Sequence, residues 1–411
     1  MTVADERTQS SPAAGVGQAS LRDQNLAVVT RLAFAAPEPV SRAAIAAASG
    51  LTRSTVSRLT DELLAGGILR ELPRQIVGRG RPATPLAPAP GTLAGLGLEV
   101  SPRHLGVRLL DLAGAVLAEE VVTEHLEGSD PVEVLGRLQG LAARVLARSA
   151  DRWTTFVGAR LAVPGLVDSA GRVLRTPNLG WPEVAPADHL DVRALAGRTG
   201  RPGPVPSFAV GNEADLAALA HALQAPGLPA NSRTFFYVSA DIGIGGASVV
   251  DGVPARGRHG WAGEIGHTVV DPSGPRCTCG AHGCLEQFAG REAVLTAAGL
   301  HPDTSAAELA DAAAQPGRAR NAVERAGRAL GITLSNVVNL LDVADVVLGG
   351  QFIPLLPALR PAVEEELRLR VLAAPWLDVT LRAGAGDRPA LTGAAYEVLG
   401  DVVARPSAWI A

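Results

Sequence analysis

The sequence predicts an α/β protein of two similar lobes behind a small winged helix-turn-helix head. Three observations carry that prediction. A strand–turn–strand start followed by helix and strand occurs twice, near residues 93 and 233. Two short helical patterns flank Gly50 and lead into a basic glycine loop. All three cysteines fall in one loop, ten residues after a histidine.

Residues 1–20, rich in Ser, Ala and Gly, read as a disordered tail. The head is expected over 21–82. LRDQNLAVVTRLAF sets Leu21, Leu26, Val29, Leu32 and Ala33 near one helical face. Ser41 is a plausible N-cap for a helix with Ala44, Ile45 and Ala48. Past the Gly50 turn, Thr52 caps a second helix with a stripe of Val56, Leu59, Leu63 and Leu64. Arg53, Ser54, Thr55, Ser57 and Arg58, together with Ser41, supply hydroxyls and guanidiniums suited to base edges and phosphates in a major groove. Gly66-Gly67 ends the helix, and a wing follows. In it Arg79 and Arg81 of QIVGRGRPATP are candidates for a minor groove, although GRGRP also reads as a solvated linker.

The Pro- and Ala-rich segment 83–92 reads as the boundary, with the two-lobed domain over 93–411. The first lobe is expected over about 93–210 plus a C-terminal helix at 391–411. The second spans about 211–390, with the cysteine loop at 267–286. LAGLGLEV, HLGVRLLDL and AVLAEEVVTEH read as successive strands, PVEVLGRLQGLAARVLARSA as a helix and FVGARLAVPGLVD as a buried strand. TFFYVSADIGIGGASVVDG and VVNLLDVADVVLGG repeat the scheme. Two α/β lobes leave a cleft, and ligands bind in such crevices.

Composition narrows the chemistry. The chain has 411 residues, 47% hydrophobic and 19% charged, as in an ordinary soluble protein. No apolar run reaches membrane-span length, and the N-terminus lacks the apolar core of a secretion signal. An odd, small cysteine count points to a reducing, cytoplasmic setting. No lysine is present, so Schiff-base lysine catalysis and a Walker A loop are excluded. Through residue 90, ten Arg face seven acidic residues, while the net charge is −4, so a basic head sits on an acidic body.

His267, Cys277, Cys279 and Cys284 offer one nitrogen and three sulfurs with no open position, which fits a closed structural zinc site. Glu264 and Glu286 flank it. Two carboxylates and an imidazole at a cleft are groups that grip vicinal hydroxyls. The alternative is that each carboxylate caps a helix or forms a salt bridge.

WAGEIGHTVV…CTCGAHGCLEQFAG resembles the signature of the ROK family, named for repressors, open reading frames and kinases. The resemblance runs from about residue 21 to the end. VPGLVDSAGRVLRTPNLGW is similar to the family's first-lobe sugar loop and GNEADLAALA to its lobe junction. VVLGGQF is similar to its nucleotide-side glycine pair, and TGAAYEVLG to its C-terminal helix. The resemblance implies an actin-like, two-lobed sugar-kinase fold. Sugar contacts would fall on Asn212, Glu264, His267 and Glu286, with Gly165 and Asn178 beside them, and His267 would serve both zinc and sugar.

Family kinases carry an Asp-x-Gly-Gly-Thr-type first phosphate loop, but Glu99, Ser101, Pro102 and Arg103 occupy that stretch here. In the second phosphate loop, ADIGIGG places Asp241 where a phosphate wants a donor. At the base position Glu213 replaces Asp, one methylene longer. The expectation is therefore a sugar-responsive repressor of carbohydrate genes that is not an enzyme, with Zn2+ as structural cofactor. It would bind a palindromic duplex operator as a homodimer or homotetramer, without a membrane. The alternative is an ATP-dependent sugar kinase with a tethered DNA-binding head.

Overall fold

The computed structural model describes residues 18–73, 84–197 and 204–410. In the head, α1 (Gln18–Phe34) precedes β1 (Val40–Ser41), α2 (Arg42–Ser49) and α3 (Arg53–Ala65). The Ser41 hydroxyl accepts from Ala44 N at 3.2 Å and that of Thr52 from Thr55 N at 3.2 Å, so each short helix starts on its side-chain cap. Ile45, Val56, Leu59 and Leu63 are sealed at 0–1% exposure. Each is worth about 1.5–3 kcal/mol of transfer free energy. Three expected core positions differ. Leu21 is exposed in the first turn of α1, and Ala44 and Ala48 face solvent while Ala46 is buried. An eight-residue helix buries one narrow face, and Ile45 with its neighbour fills it.

The segment 83–92, expected as a linker, instead supplies a strand. β2 (Leu69–Glu71) and β3 (Pro85–Pro88) pair antiparallel, and β3 also pairs with β1, giving the order β1-β3-β2. The prolines sit at the two ends of β3, where a missing N–H costs least, while Leu86 between them is fully buried. Residues 18–20, expected in the tail, begin α1. The rest of that tail, and the wing residues Arg79 and Arg81, lie outside the described residues.

The first lobe holds β4 (Leu93–Ser101), β5 (His104–Asp111), β6 (Val116–Thr123), α4 (Pro131–Arg148) and β7 (Thr155–Val163). A small ribbon of β8 (Leu166–Val167) and β9 (Val173–Arg175) follows, then α5 (Val192–Gly197), β10 (Ser207–Asn212) and α6 (Glu213–Ala222). β10 runs to Asn212, two residues past the expected lobe boundary, because its ladder with β7 stays in register to Val163. A second ribbon, β11 (Leu223–Ala225) with β12 (Leu228–Pro229), leads into the other lobe.

That lobe holds β13 (Phe235–Ala240), β14 (Ile244–Val250), β15 (Val253–Pro254), α7 (Glu286–Ala289), α8 (Arg291–Ala298) and α9 (Ala306–Ala313). It continues through α10 (Arg318–Leu341), β16 (Asp345–Gly350), α11 (Phe352–Arg370) and β17 (Thr380–Ala383), and α12 (Pro389–Ala404) follows. The two sheets, β6-β5-β4-β7-β10 and β15-β14-β13-β16-β17, share one scheme. In each, the first three strands meander antiparallel and the last two join the first in parallel. The chain thus builds the same five-stranded unit twice, as the actin-like expectation required.

α12 ties the molecule together. It packs on β4, β5 and β7 and crosses α6 so closely that a Cβ on Gly393 would lie 1.7 Å from Leu216 O. Its other side meets α1. Leu26, Val29 and Phe34 of the head join Val398, Leu399 and Val402 of α12 in one apolar cluster, with Trp409 and Ile410 packed against it. Head and body therefore share a core.

Candidate functional site

The six sugar-site candidates, Asn212, Glu264, His267, Glu286, Gly165 and Asn178, line one cavity between the lobes, with Glu213 beside them. Asn212 caps α6: its Oδ1 accepts from Ala214 N at 2.7 Å, and its Nδ2 donates to Gly165 O at 3.0 Å. That single side chain fixes the helix start and the first-lobe loop together. Gly243 leaves room from the other side, since a Cβ there would sit 2.3 Å from Asn178 Nδ2 and 2.7 Å from Glu286 Oε2. Glu286 Oε2 also accepts from Ile244 N at 3.2 Å. Burial raises the carboxyls of Glu264 and Glu286 above their usual range, partly offset by the nearby His267. Both remain carboxyl groups facing a polar hollow, suited to hydroxyl ligands.

Next to it lies a second cavity of about 200 Å³ that shares Glu213, Ala214, Gly243 and Gly245 with the first. Its lining includes Glu99, Asp241 and Glu213. Glu99 is buried and lies 3.3 Å from His104 Nε2. Burial first, then the charges of Glu99, Asp241 and Glu264, push the Glu213 carboxyl up to about 8. Ser101 and His104 pair across a two-residue turn made by Pro102 and Arg103, whose carbonyls accept from Leu126 and Glu124. This turn offers no glycine-lined phosphate cradle.

Behind the sugar cavity, the cysteine loop brings His267, Cys277, Cys279 and Cys284 together, with all four donor atoms within 4.8 Å of one another. Cys277 Sγ and His267 Nδ1 are 3.7 Å apart, as are Cys279 Sγ and Cys284 Sγ. A tetrahedron with Zn–S bonds of about 2.3 Å has edges of about 3.8 Å, so the spacing fits a zinc-sized ion. Burial, then hydrogen bonds with Cys279 and Cys277, push the Cys284 thiol up to about 12, a group that a bound cation would convert to thiolate. Since Nδ1 faces the sulfurs, the other ring nitrogen of His267 is left for the cavity that the residue lines.

In the head, Arg53 and Ser54 are exposed at the start of α3, and Thr55 and Ser57 are half-buried. Arg58 is exposed, but its Nη1 pairs with Glu62 Oε1 at 2.8 Å. Ser41 is occupied as the cap of α2.

Sequence reasoning missed an ion network at the hinge. Arg160 Nε on β7 meets Glu397 Oε2 on α12 at 3.0 Å. Arg256, after β15 of the second lobe, meets Glu397 Oε1 at 2.9 Å and Asp215 Oδ2 on α6 at 3.5 Å. Burial pushes the Asp215 carboxyl up to about 6, against the pull of Arg256. Four segments distant in sequence supply these groups, and none carries a local pattern that predicts their meeting.

The ROK family profile matches residues 96–400, and an IclR helix-turn-helix profile matches 33–73. The xylose repressor of Bacillus spizizenii is 27% identical over 335 residues, covering 81% of this chain and 84% of its own. The DNA-binding transcriptional dual regulator NagC of Escherichia coli strain K12 is 28% identical over 349 residues, with 82% of each covered. Among solved structures, a ROK family transcriptional regulator homologous to the E. coli MLC protein superposes with a TM-score of 0.76 at 25% identity, covering 95% of this chain and 99% of that one. A ROK glucokinase from Streptomyces griseus shares the fold of the two lobes, with a TM-score of 0.57, 21% identity and coverage of 74% and 98%. The repeated five-stranded unit, the histidine–cysteine loop and a profile match over most of the chain agree: this protein belongs to the ROK family.

Proposed function

We propose that this protein is a sugar-responsive, DNA-binding transcriptional regulator that senses a sugar between its lobes and does not phosphorylate it. The carrying observation is that the cavity lined by Glu264, His267 and Glu286 adjoins an acidic one. The carboxylates of Glu99 and Asp241 stand where a nucleotide's phosphates would approach, and like charge opposes them, while Glu213, raised to about 8, stands beside them largely protonated. The relatives named as repressors of xylose and N-acetylglucosamine support the same reading. The rival, an ATP-dependent sugar kinase with a tethered head, keeps Glu213 between the two cavities but has no glycine cradle at the Ser101–His104 turn.

The head would read an operator with α3, through Arg53, Ser54, Thr55, Ser57 and Arg58, with Ser41 at the neighbouring helix start. Arg79 and Arg81 would serve from the wing. A homodimer on a palindromic duplex follows from one recognition helix per chain, since two symmetric heads match two half-sites. A zinc ion held by His267, Cys277, Cys279 and Cys284 would fix the loop that presents Glu264, His267 and Glu286, without taking part in chemistry. Three thiols assembled as a metal set fit a reducing cytoplasm. Among the described residues, no helix is long and apolar enough to cross a membrane.

Sugar closure would move Asn212 and thus α6, which crosses α12, which shares a core with α1. The test is fluorescence anisotropy against the DNA upstream of the protein's own gene, in about 0.15 M salt with competitor DNA, repeated with a sugar panel. Sequence-selective binding that one sugar shifts is the expected result. ATP-dependent phosphorylation of any sugar, with no selective DNA binding, would overturn the reading in favour of the kinase.

A further inference from the structure

The sugar cavity has a larger neighbour on the side away from the acidic one. This outer hollow, about 470 Å³, opens between the same two loops that wall the sugar site. The first-lobe loop gives Gly165 to the inner cavity and Val167–Gly171 to the outer. The second-lobe loop gives Gly263 and Glu264 to the inner cavity and Arg256–Gly260 to the outer, and Asn212 borders both. The two hollows are thus consecutive stretches of one cleft. A volume of this size lies within the range of about 300–1,000 Å³ that holds small-molecule ligands.

Its chemistry is polar, and the charges on its floor are paired. On the floor, Arg160 and Arg256 are matched by Glu397 and Asp215, so no bare charge awaits an anion there. Along one side run Phe208–Asn212 of β10, the edge strand of its sheet, which among the described residues has no strand partner beyond β7 to take its outward backbone groups. At the rim, Arg258 is exposed and has no hydrogen-bond or ion-pair partner among the described residues. Beside it His259 of the lining is backed by Trp261, which stacks on it at 4.9 Å with planes 29° apart, lies just behind the lining and is 41% exposed. A backbone edge, a free guanidinium fork and an aromatic step form a surface for a neutral ring with hydroxyls on its rim and an apolar face.

We infer that this hollow is a subsite for a second sugar ring, so that the effector is a disaccharide or larger glycoside with its terminal ring in the inner cavity. The inference rests on the sugar-responsive reading above and extends it. Isothermal titration would compare xylose, glucose and N-acetylglucosamine with xylobiose, cellobiose and maltose, on the full chain and on Trp261→Ala and Arg258→Ala. Both substitutions fall on exposed side chains, and their folding is checked by thermal melting. The expected result is that one disaccharide binds at least about tenfold more tightly than its own monosaccharide. That ratio should collapse toward one in Trp261→Ala and shrink in Arg258→Ala. Monosaccharides binding as tightly as every disaccharide would overturn the subsite and leave the sugar-responsive reading standing. A ratio that survives both substitutions would place the second ring elsewhere and also overturn it. Silence from every sugar of either size would remove the sugar-responsive reading, and this inference with it.

Discussion

The two cavities either side of Glu213 differ in what surrounds their carboxylates. In the sugar cavity, Glu264 and Glu286 are held by neighbours: Glu286 accepts from Ile244 N, and His267 counters the charge of both. In the adjoining cavity, Glu99, Asp241 and Glu213 line one hollow, with His104 beside Glu99 and Arg388 also in the lining. One side is organised to hold hydroxyls. On the reading proposed above, the carboxylates of the other oppose a nucleotide's phosphates. On that reading a cleft keeps recognition and loses transfer because separate residues on separate loops supply the two.

The strongest way to break this contrast is to remove the scaffold of the organised side. Cys279→Ser takes one donor from a set whose atoms span 4.8 Å, and the loop carrying Glu264 and His267 loses its anchor. Sugar affinity should fall at least about a hundredfold, with a smaller effect on the melting temperature, because the lobe cores do not include the loop's exposed turn. Calorimetry with sugar and a thermal melt without it separate the two. An unchanged sugar response would show that the loop needs no metal. Next in size, Glu286→Ala removes a carboxylate that both faces the cavity and accepts from Ile244 N. The loss should be about 2 kcal/mol, or about thirtyfold in sugar Kd. A change under threefold would move Glu286 out of the contact set.

Local spacing made the organised side legible. The metal set lies within 18 consecutive residues, His267 to Cys284, so the sequence alone places its donors near one another. Caps Ser41 and Thr52 were readable for the same reason, because a cap acts within three residues. The doubled sheet order was visible only as a repeated strand–helix rhythm. The hinge network was not visible at all, since Arg160, Asp215, Arg256 and Glu397 meet through tertiary packing. Segment 83–92 misled because prolines usually punctuate, and here they bracket a buried leucine within a short strand.

A smaller effect is expected from restoring neutrality on the acidic side. Asp241→Asn combined with Glu99→Gln removes the two carboxylate charges that face an incoming phosphate, Glu213 being largely protonated at neutral pH. Wild type should show no saturable ATP binding at millimolar concentration. The double substitution should raise ATP affinity by at least about tenfold, since two like charges are removed. Phosphoryl transfer should still be absent, because the Ser101–His104 turn offers no cradle. Wild-type ATP binding in the micromolar range would end the contrast between the two sides.

A separate effect, on stability rather than on binding, is a pH dependence that isolates Glu213. Its folded-state carboxyl titrates near 8, above the unfolded value of about 4.3, because burial and three neighbouring carboxylates disfavour its charge. Between those two values the folded chain holds a proton that the unfolded chain has released. Stability therefore falls as pH rises through that window and levels off once both states are ionised. Asp215, raised to about 6, adds a fall of the same sign over a narrower and more acidic range. Glu213→Gln removes the first contribution and leaves the second. The variant should melt close to wild type at about pH 4 and above it at about pH 8, with the gap opening between them. A gap that is constant with pH would mean that Glu213 is charged in the folded protein at neutrality. That would leave a working carboxylate base at the junction of the two cavities, the condition a kinase needs.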